Sequence, residues 1–205
     1  MKMILIANPK GGCGKTTLSV NIAAYLANRG ESVAILDMDI QQSSALWGDT
    51  RSKDMAPVRV LKHNREAAGP SDWLIVDSGA GTSGSNLAYS LVKQASKIII
   101  PIAPSLFDLH ASRDFLVTLL EEKKIRGSAC EIGVVGMRTA PRTRAAAALE
   151  YFLSTFDLPV LAYLRETQVY VNAAFEGKSV FDLPPRVVER ELEQWAYLKD
   201  WLEQE

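Results

Sequence analysis

Short, uninterrupted apolar runs alternate with stretches of helical spacing along the chain, and that alternation limits the possible folds more than any other feature. Residues 3–7 (MILIA), 33–36 (VAIL), 73–76 (WLIV), 98–102 (IIIPI) and 132–135 (IGVV) are continuously apolar. A strand with one wet face shows a polar residue at every second position, whereas a continuous run fits a parallel strand covered on both faces. Residues 16–29 put Leu18, Ile22, Tyr25 and Leu26 on one helical stripe that stops at Gly30. Helices are also expected over 109–123 and 143–153. The tail, about 185–205, carries Val187, Val188, Leu192, Trp195, Leu198 and Leu202 at helical spacing and should pack on the core as a single helix. Segment 48–72 is the most polar and reads as a surface excursion with a minor strand at 58–61. With no internal repeat or interdomain linker, the expectation is one α/β domain over 1–205, a mostly parallel twisted sheet flanked by helices.

Composition narrows the function classes. Hydrophobic residues make up 47% of the 205 positions, enough to bury a full core, which excludes a mainly disordered chain. Lys and Arg total 23 against 24 Asp and Glu, so a uniformly basic nucleic-acid coat is excluded while a local basic patch is not. Cys13 and Cys130, the two cysteines, cannot alone build a disulfide framework or a four-thiolate metal site. Residues 1–8 lack a signal peptide's longer apolar region and cleavage site, and no apolar run approaches the roughly 20 residues that span a bilayer. A cytoplasmic protein is expected.

The chemistry begins at Pro9-Lys10-Gly11-Gly12-Cys13-Gly14-Lys15-Thr16-Thr17, directly between the first strand and the first helix. A phosphate chain carries dense negative charge. Glycines let a backbone turn closely around it with N–H groups aimed inward, and the following helix N-terminus adds its positive dipole. Lys15 is then placed for the β- and γ-phosphates and the Thr16 hydroxyl for Mg²⁺. The ordinary form of this loop has glycine where this chain has Pro9, and an extra lysine, Lys10, follows. Carboxylates end two of the apolar runs: Asp37 and Asp39 after VAIL, and Asp77 after WLIV. In open α/β sheets ligands bind at that edge.

The KGGCGKTT string, with its second lysine, resembles the deviant Walker A motif of the ParA/MinD family of P-loop ATPases. In total the resemblance covers most of residues 2–183 in motif order. It implies that Lys10 reaches across an ATP-sandwiched homodimer to the partner's phosphates. Asp37-Met38-Asp39-Ile40-Gln41-Gln42 looks like the family's D-x-D-P-Q switch, with Ile40 in place of proline. By that match Asp39 handles the attacking water, and Asp37 supports the loop or the Mg²⁺ shell. Asp77 would hold Mg²⁺ as the Walker B carboxylate. Its DSGAG context resembles the smaller plasmid-partition ATPases. Met137-Arg138-Thr139 occupies the place where relatives contact adenine, and residues 164–170 look like the family's late loop near nucleotide and partner. Catalytic roles thus fall to Lys10, Lys15 and Asp39, nucleotide contacts to Gly11 through Thr17 with Met137 and Arg138, and Mg²⁺ contacts to Thr16, Asp37 and Asp77.

Other features weigh less. Cys130 reads as a buried filler and Cys13 as a small residue at a variable loop position. His63 and His110 read as surface residues without metal-ligand spacing. Trp195 and Trp201 suggest packing, and the net-acidic tail argues against an anionic bilayer. Relatives in the family bind DNA without sequence preference when dimeric with ATP, and Arg138, Arg142, Arg144, Lys178, Arg186, Arg190 and Lys199 are the candidate contacts here, for a patch assembled across two subunits. The resulting expectation is a weak, partner-stimulated ATPase, nucleoid-associated, that answers to a small cargo-linked adaptor and distributes a plasmid, carboxysome or similar cargo. A metabolic ATP-dependent synthetase, a MinD-like membrane ATPase and a non-catalytic nucleotide module remain as alternatives.

Overall fold

A computed structural model of the chain describes residues 1–62, 69–80, 86–126 and 130–204. Strands β1 (Lys2–Ile6), β2 (Val33–Asp37), β3 (Val58–Lys62), β4 (Trp73–Asp77), β5 (Lys97–Ile102), β6 (Glu131–Thr139) and β7 (Val160–Arg165) form one seven-stranded sheet in the order β3-β2-β4-β1-β5-β6-β7. Every neighbouring pair is parallel. The helices are α1 (Lys15–Asn28), α2 (Ser43–Thr50), α3 (Asn86–Gln94), α4 (Leu106–Arg126), α5 (Arg144–Ser154), α6 (Gln168–Phe175), α7 (Pro185–Gln194) and α8 (Ala196–Glu203).

The continuous runs are explained by two cores. Successive side chains of a strand point to opposite faces. Ile4, Ile6, Val33, Ile35, Ile75 and Ile99 therefore join one apolar cluster with α1, Trp47 of α2 and Leu198, Trp201 and Leu202 of α8. Met3, Leu5, Leu36, Leu74, Val76, Ile98 and Ile100 join the other, under Leu91, Leu116, Leu119, Leu149 and Phe152. The whole is a single α/β domain with a parallel sheet flanked by helices, as the apolar pattern implies.

The structure departs from the sequence reading in the later half. The tail is two helices rather than one, with Trp195 at their junction, fully buried and edge-on to Phe181. A straight helix would carry its apolar stripe off the core; the break lets Val188 and Trp195 bury from one segment and Leu198, Trp201 and Leu202 from the next. Strand β7 (VLAYLR) is an addition to the sequence reading, although Val160 to Leu164 form a continuous apolar run. Helices α2, α3 and α6 were likewise not assigned, and α2 extends into the segment read as a surface excursion. Cys130 is buried and His110 exposed, as expected, while His63 lies outside the described residues.

The arrangement concentrates polar chemistry at one edge. β1 is the central strand, and the loop leaving it opens at the carboxyl ends of β2 and β4, whose last residues Asp37 and Asp77 pair in register. Ile6 of β1 is in register with the same Asp77.

Candidate nucleotide site

Asn8 organises the phosphate loop from beneath. Its amide donates to Pro101 O at 2.8 Å and Ser112 Oγ at 2.9 Å, and its Oδ1 accepts from the Lys10 N–H at 2.9 Å. The loop then takes positive φ at Gly12 (72°) and Gly14 (102°), a backbone region that favours glycine. Gly14 carries a second constraint: a Cβ there would lie 2.5 Å from Met137 Cε. Met137 thus packs against the loop from β6. The α1 N-terminus follows with no side-chain cap, leaving its first N–H groups for a ligand.

Lys15 is buried, its ammonium donating to Asn8 O at 3.0 Å and Lys10 O at 2.9 Å. Cys13 is buried too, with Sγ 3.8 Å from Lys15 Nζ, and burial raises its thiol pKa above the ordinary 9.0 despite the lysine's opposing pull. A thiol held protonated is a poor nucleophile, so a redox role has no support. Lys10 is half-buried at the start of the loop, outside the cleft lining.

The two carboxylates at the strand ends have different surroundings. Asp37 is fully buried, with Oδ1 accepting from the Asp39 N–H at 3.0 Å and Oδ2 from the Ala45 N–H at 2.9 Å. It ties the loop after β2 to the first turn of α2. Asp77 is 1% exposed and accepts from the Ser44 hydroxyl at 2.6 Å through Oδ2. Its Oδ1 is buried without a hydrogen bond of ordinary geometry, although the Thr16 hydroxyl is near enough to favour the charged form. Burial pushes the Asp77 pKa from 3.8 to about 6; hydrogen bonds from Ser44 and Thr16 and the charge of Lys15 oppose the rise, and Asp37 adds to it.

An orphaned carboxylate oxygen beside a threonine hydroxyl is a donor pair that Mg²⁺ accepts. Mg²⁺ takes hard oxygen ligands and is commonly held by one or two carboxylates plus substrate phosphates rather than by an all-protein cage. No cluster of three or more His, Cys, Asp or Glu among the described residues could hold a metal without such phosphates.

Asp39 is half-buried and turns its own loop, accepting the Gln41 N–H at 2.9 Å. Ile40, where proline was the pattern, is 94% exposed, and Gln42 takes the left-handed conformation (φ 51°) that starts α2. The loop after β4 presses against this one: a Cβ on Gly79 would meet Met38 O at 2.9 Å. The Met38 N–H also donates to Asp77 O at 3.0 Å, so the two strand-end loops are in backbone contact.

These elements surround a cleft of about 730 Å³, within the range of small-molecule sites. Gly11, Gly12, Gly14, Lys15, Thr16 and Thr17 form its floor; Asp39, Gln41 and Ser43 form one side. Met137 and Arg138, on the end of β6 rather than after it, form another with residues 164–168 of β7 and the start of α6. Arg138 has positive φ (51°), at the irregularity in the β6–β7 ladder. The sequence reading placed the loop, Asp39, Met137, Arg138 and the 164–170 segment at one site, and they do converge. It missed Asn8 and Ser44, whose signals were weak: one polar residue between an apolar run and a glycine loop, and one serine in an unassigned helix.

Of the candidate DNA contacts, five are exposed on the chain. Arg138, Arg142 and Arg144 are exposed around the β6–α5 connection, and Arg186 and Arg190 are exposed on α7. Lys178 and Lys199 are half-buried, and Lys178 pairs with Glu176. No helix among the described residues is long and apolar enough to cross a membrane.

Comparison with known proteins agrees with this geometry. Residues 4–180 match the model of the CobQ/CobB/MinD/ParA nucleotide binding domain. The chain is 34% identical over 193 residues to the maintenance of carboxysome distribution protein A of Halothiobacillus neapolitanus, covering 89% of this chain and 88% of that protein. Its identity to the protein of the same name from Gloeobacter kilaueensis is 30% over 190 residues, 87% and 83% of the two chains. A solved ATP complex of a Cyanothece McdA variant has the same fold, with TM-score 0.76 at 16% identity over 97% of this chain and 96% of that one. On the phosphate loop, the strand-end carboxylates and the match over residues 4–180, the chain belongs to the ParA/MinD family of nucleotide-binding P-loop proteins.

Proposed function

We propose that the protein is an ATP-driven switch that distributes carboxysomes, or a similar cytoplasmic cargo, over the nucleoid. The observation that carries the ATPase reading is the cleft. A glycine loop with Lys15 and Thr16 lines it, with Asp39 on the adjoining wall, and the buried Asp77 lies behind Thr16 with one oxygen that accepts no hydrogen bond of ordinary geometry. The cargo class is supported by near full-length similarity to two proteins named for carboxysome distribution.

The loop amides from Gly11 to Thr17 and the α1 N-terminus would hold the phosphates. Lys15 would exchange its bonds to Asn8 O and Lys10 O for phosphate oxygens. Thr16 and Asp77 would hold Mg²⁺, which supplies charge neutralisation on the β- and γ-phosphates when bound. Asp39 would orient the attacking water, and Asp37, both oxygens taken by backbone N–H groups, would fix the loop that carries Asp39. Met137 and Arg138 would flank the adenine. Lys10 would act on the nucleotide of a second copy, so that dimerisation depends on ATP. Hydrolysis would remove the γ-phosphate that orders the contacting loops after β2 and β4 and release the dimer. The dimer would grip nonspecific DNA through exposed arginines, and a small adaptor on the cargo would stimulate turnover.

The test is a gel shift on nonspecific duplex DNA with no nucleotide, ADP or ATP, each with Mg²⁺. A shift confined to ATP and lost with rising salt supports the nucleoid-bound switch. ATP-dependent dimers that never shift DNA would remove the nucleoid as the matrix. Sedimentation adds a second arm: Lys10→Ala should bind ATP yet stay monomeric, and a normal dimer would sink the role given to Lys10.

A further inference from the structure

One wall of the nucleotide cleft is pinned by the C-terminal helix pair. Arg165 and Tyr170 both line the cleft, at the end of β7 and the start of α6. Arg165 is held twice: its backbone N–H donates to Gln194 Oε1 at 3.1 Å, and its Nε donates to Glu191 Oε1 at 2.7 Å. Arg165 Nη2 lies 2.6 Å from that same oxygen. Tyr170 is held once, its hydroxyl accepting from the Trp195 indole N–H at 2.9 Å. Glu191, Gln194 and Trp195 form the end of α7 and its junction with α8, and none of them lines the cleft.

The Glu191 side chain is 1% exposed while that of Arg165 is 32% exposed. A carboxylate this deep is costly to bury unpaired, and Arg165 is the partner it takes. The guanidinium presents five donors in a rigid fork. Glu191 engages Nε and Nη2, and Nη1 makes no hydrogen bond to any described residue. The fork is thus fixed along one side and open along the other, on a side chain that borders a site suited to an anion.

We propose that Glu191 is a positioning residue for nucleotide binding: from α7 it holds the Arg165 guanidinium at the cleft, ready for the polyanionic nucleotide. The inference rests on the nucleotide reading of the cleft and adds to it a residue outside the phosphate loop. It also gives the C-terminal helices a stake in the site, since three hydrogen bonds link them to the β7–α6 wall.

The experiment measures the Kd of a fluorescent ATP analogue with Mg²⁺, together with KM, kcat and the urea midpoint, on the full chain. Variants are Glu191→Gln, Glu191→Ala, Arg165→Ala and the Arg165→Ala/Glu191→Ala pair, with Lys15→Ala as control. Loss of a charge-assisted hydrogen bond predicts a Kd and KM about tenfold higher in Glu191→Gln, with KM moving more than kcat. The double variant should bind no more weakly than Arg165→Ala, because both changes break one path. If Glu191→Ala fails to fold, the near-isosteric Glu191→Gln decides. A lower urea midpoint with unchanged Kd and KM would overturn the proposal: a structural role reduces the folded fraction, and hence apparent kcat, without moving KM. Wild-type binding that Lys15→Ala leaves intact would instead overturn the nucleotide reading, and this proposal with it.

Discussion

Asp182 and Asp77 are both largely withdrawn from water, yet the protein treats them in opposite ways. Asp182 closes a latch between α2 and the turn Val180–Asp182. Arg51 Nη1 and Nη2 each donate to it at 2.9 Å, and the Ser179 N–H and hydroxyl donate at 2.7 and 2.8 Å. The guanidinium is also anchored by Gly177 O and Ala56 O and lies over the Trp47 ring. Burial alone would raise the Asp182 pKa, but Arg51 and Ser179 outweigh it and hold the pKa below 3.8. Asp77 has one hydroxyl donor of ordinary geometry, one orphaned oxygen and a pKa raised to about 6. A buried acid with every lone pair answered is architecture; one left short calls for a partner, and on our proposal that partner is Mg²⁺.

The widest separation between the two should come from removing their partners. Arg51→Ala strands a buried carboxylate and should cost about 3–5 kcal/mol in urea unfolding. A cost under about 1 kcal/mol would mean that the latch is not structural. Asp77→Asn should do the reverse: no loss of stability without metal, because a desolvated charge is gone, but ATP binding about ten- to a hundredfold weaker in Mg²⁺. Unchanged Mg²⁺-dependent binding in that variant would deny Asp77 its metal.

The pH dependence should separate them next. The Asp77 pKa is raised on folding, so its stabilising contribution is fully present below pH 3.8 and is lost as pH rises through about 6. The Asp182 pKa is lowered, so its contribution is present above pH 3.8 and is lost as pH falls through its folded value. Urea midpoints for wild type and Asp77→Asn in metal-free buffer should therefore converge towards pH 4 and part towards pH 7, with the variant the more stable. Parallel profiles would refute the assignment. The smallest effect is expected at Gly79→Ala, about 1 kcal/mol in thermal unfolding, because the new Cβ would meet Met38 O at 2.9 Å. No change there would mean that the two loops yield to each other freely.

The same contrast explains what could be seen in the sequence. Asp77 was legible because it ends a continuous apolar run, and strand ends of a parallel sheet are where ligands collect. Lys15 and Thr16 were legible because phosphate wrapping demands glycines at fixed spacing before them. The latch was not: Arg51 and Asp182 stand 131 residues apart, and neither segment has a local pattern. Asn8 and Ser44 escaped for a similar reason, since a single polar side chain shows nothing of a partner that only the fold supplies. The C-terminal break was hidden by an unbroken helical spacing and decided by tertiary packing, whereas the apolar run of β7 was there to be read. Ile40 gave no warning of how far it projects into solvent.

On the proposed function, the cleft binds Mg²⁺·ATP through the phosphate loop and Asp77. Calorimetric titration of ATP into wild type, Lys15→Ala and Asp77→Asn, with and without Mg²⁺, tests it most directly. Wild type should bind tightly with Mg²⁺, Lys15→Ala should bind far more weakly in either buffer, and Asp77→Asn should lose the difference that Mg²⁺ makes. Equal binding by all the proteins, or wild-type binding indifferent to Mg²⁺, would contradict the account.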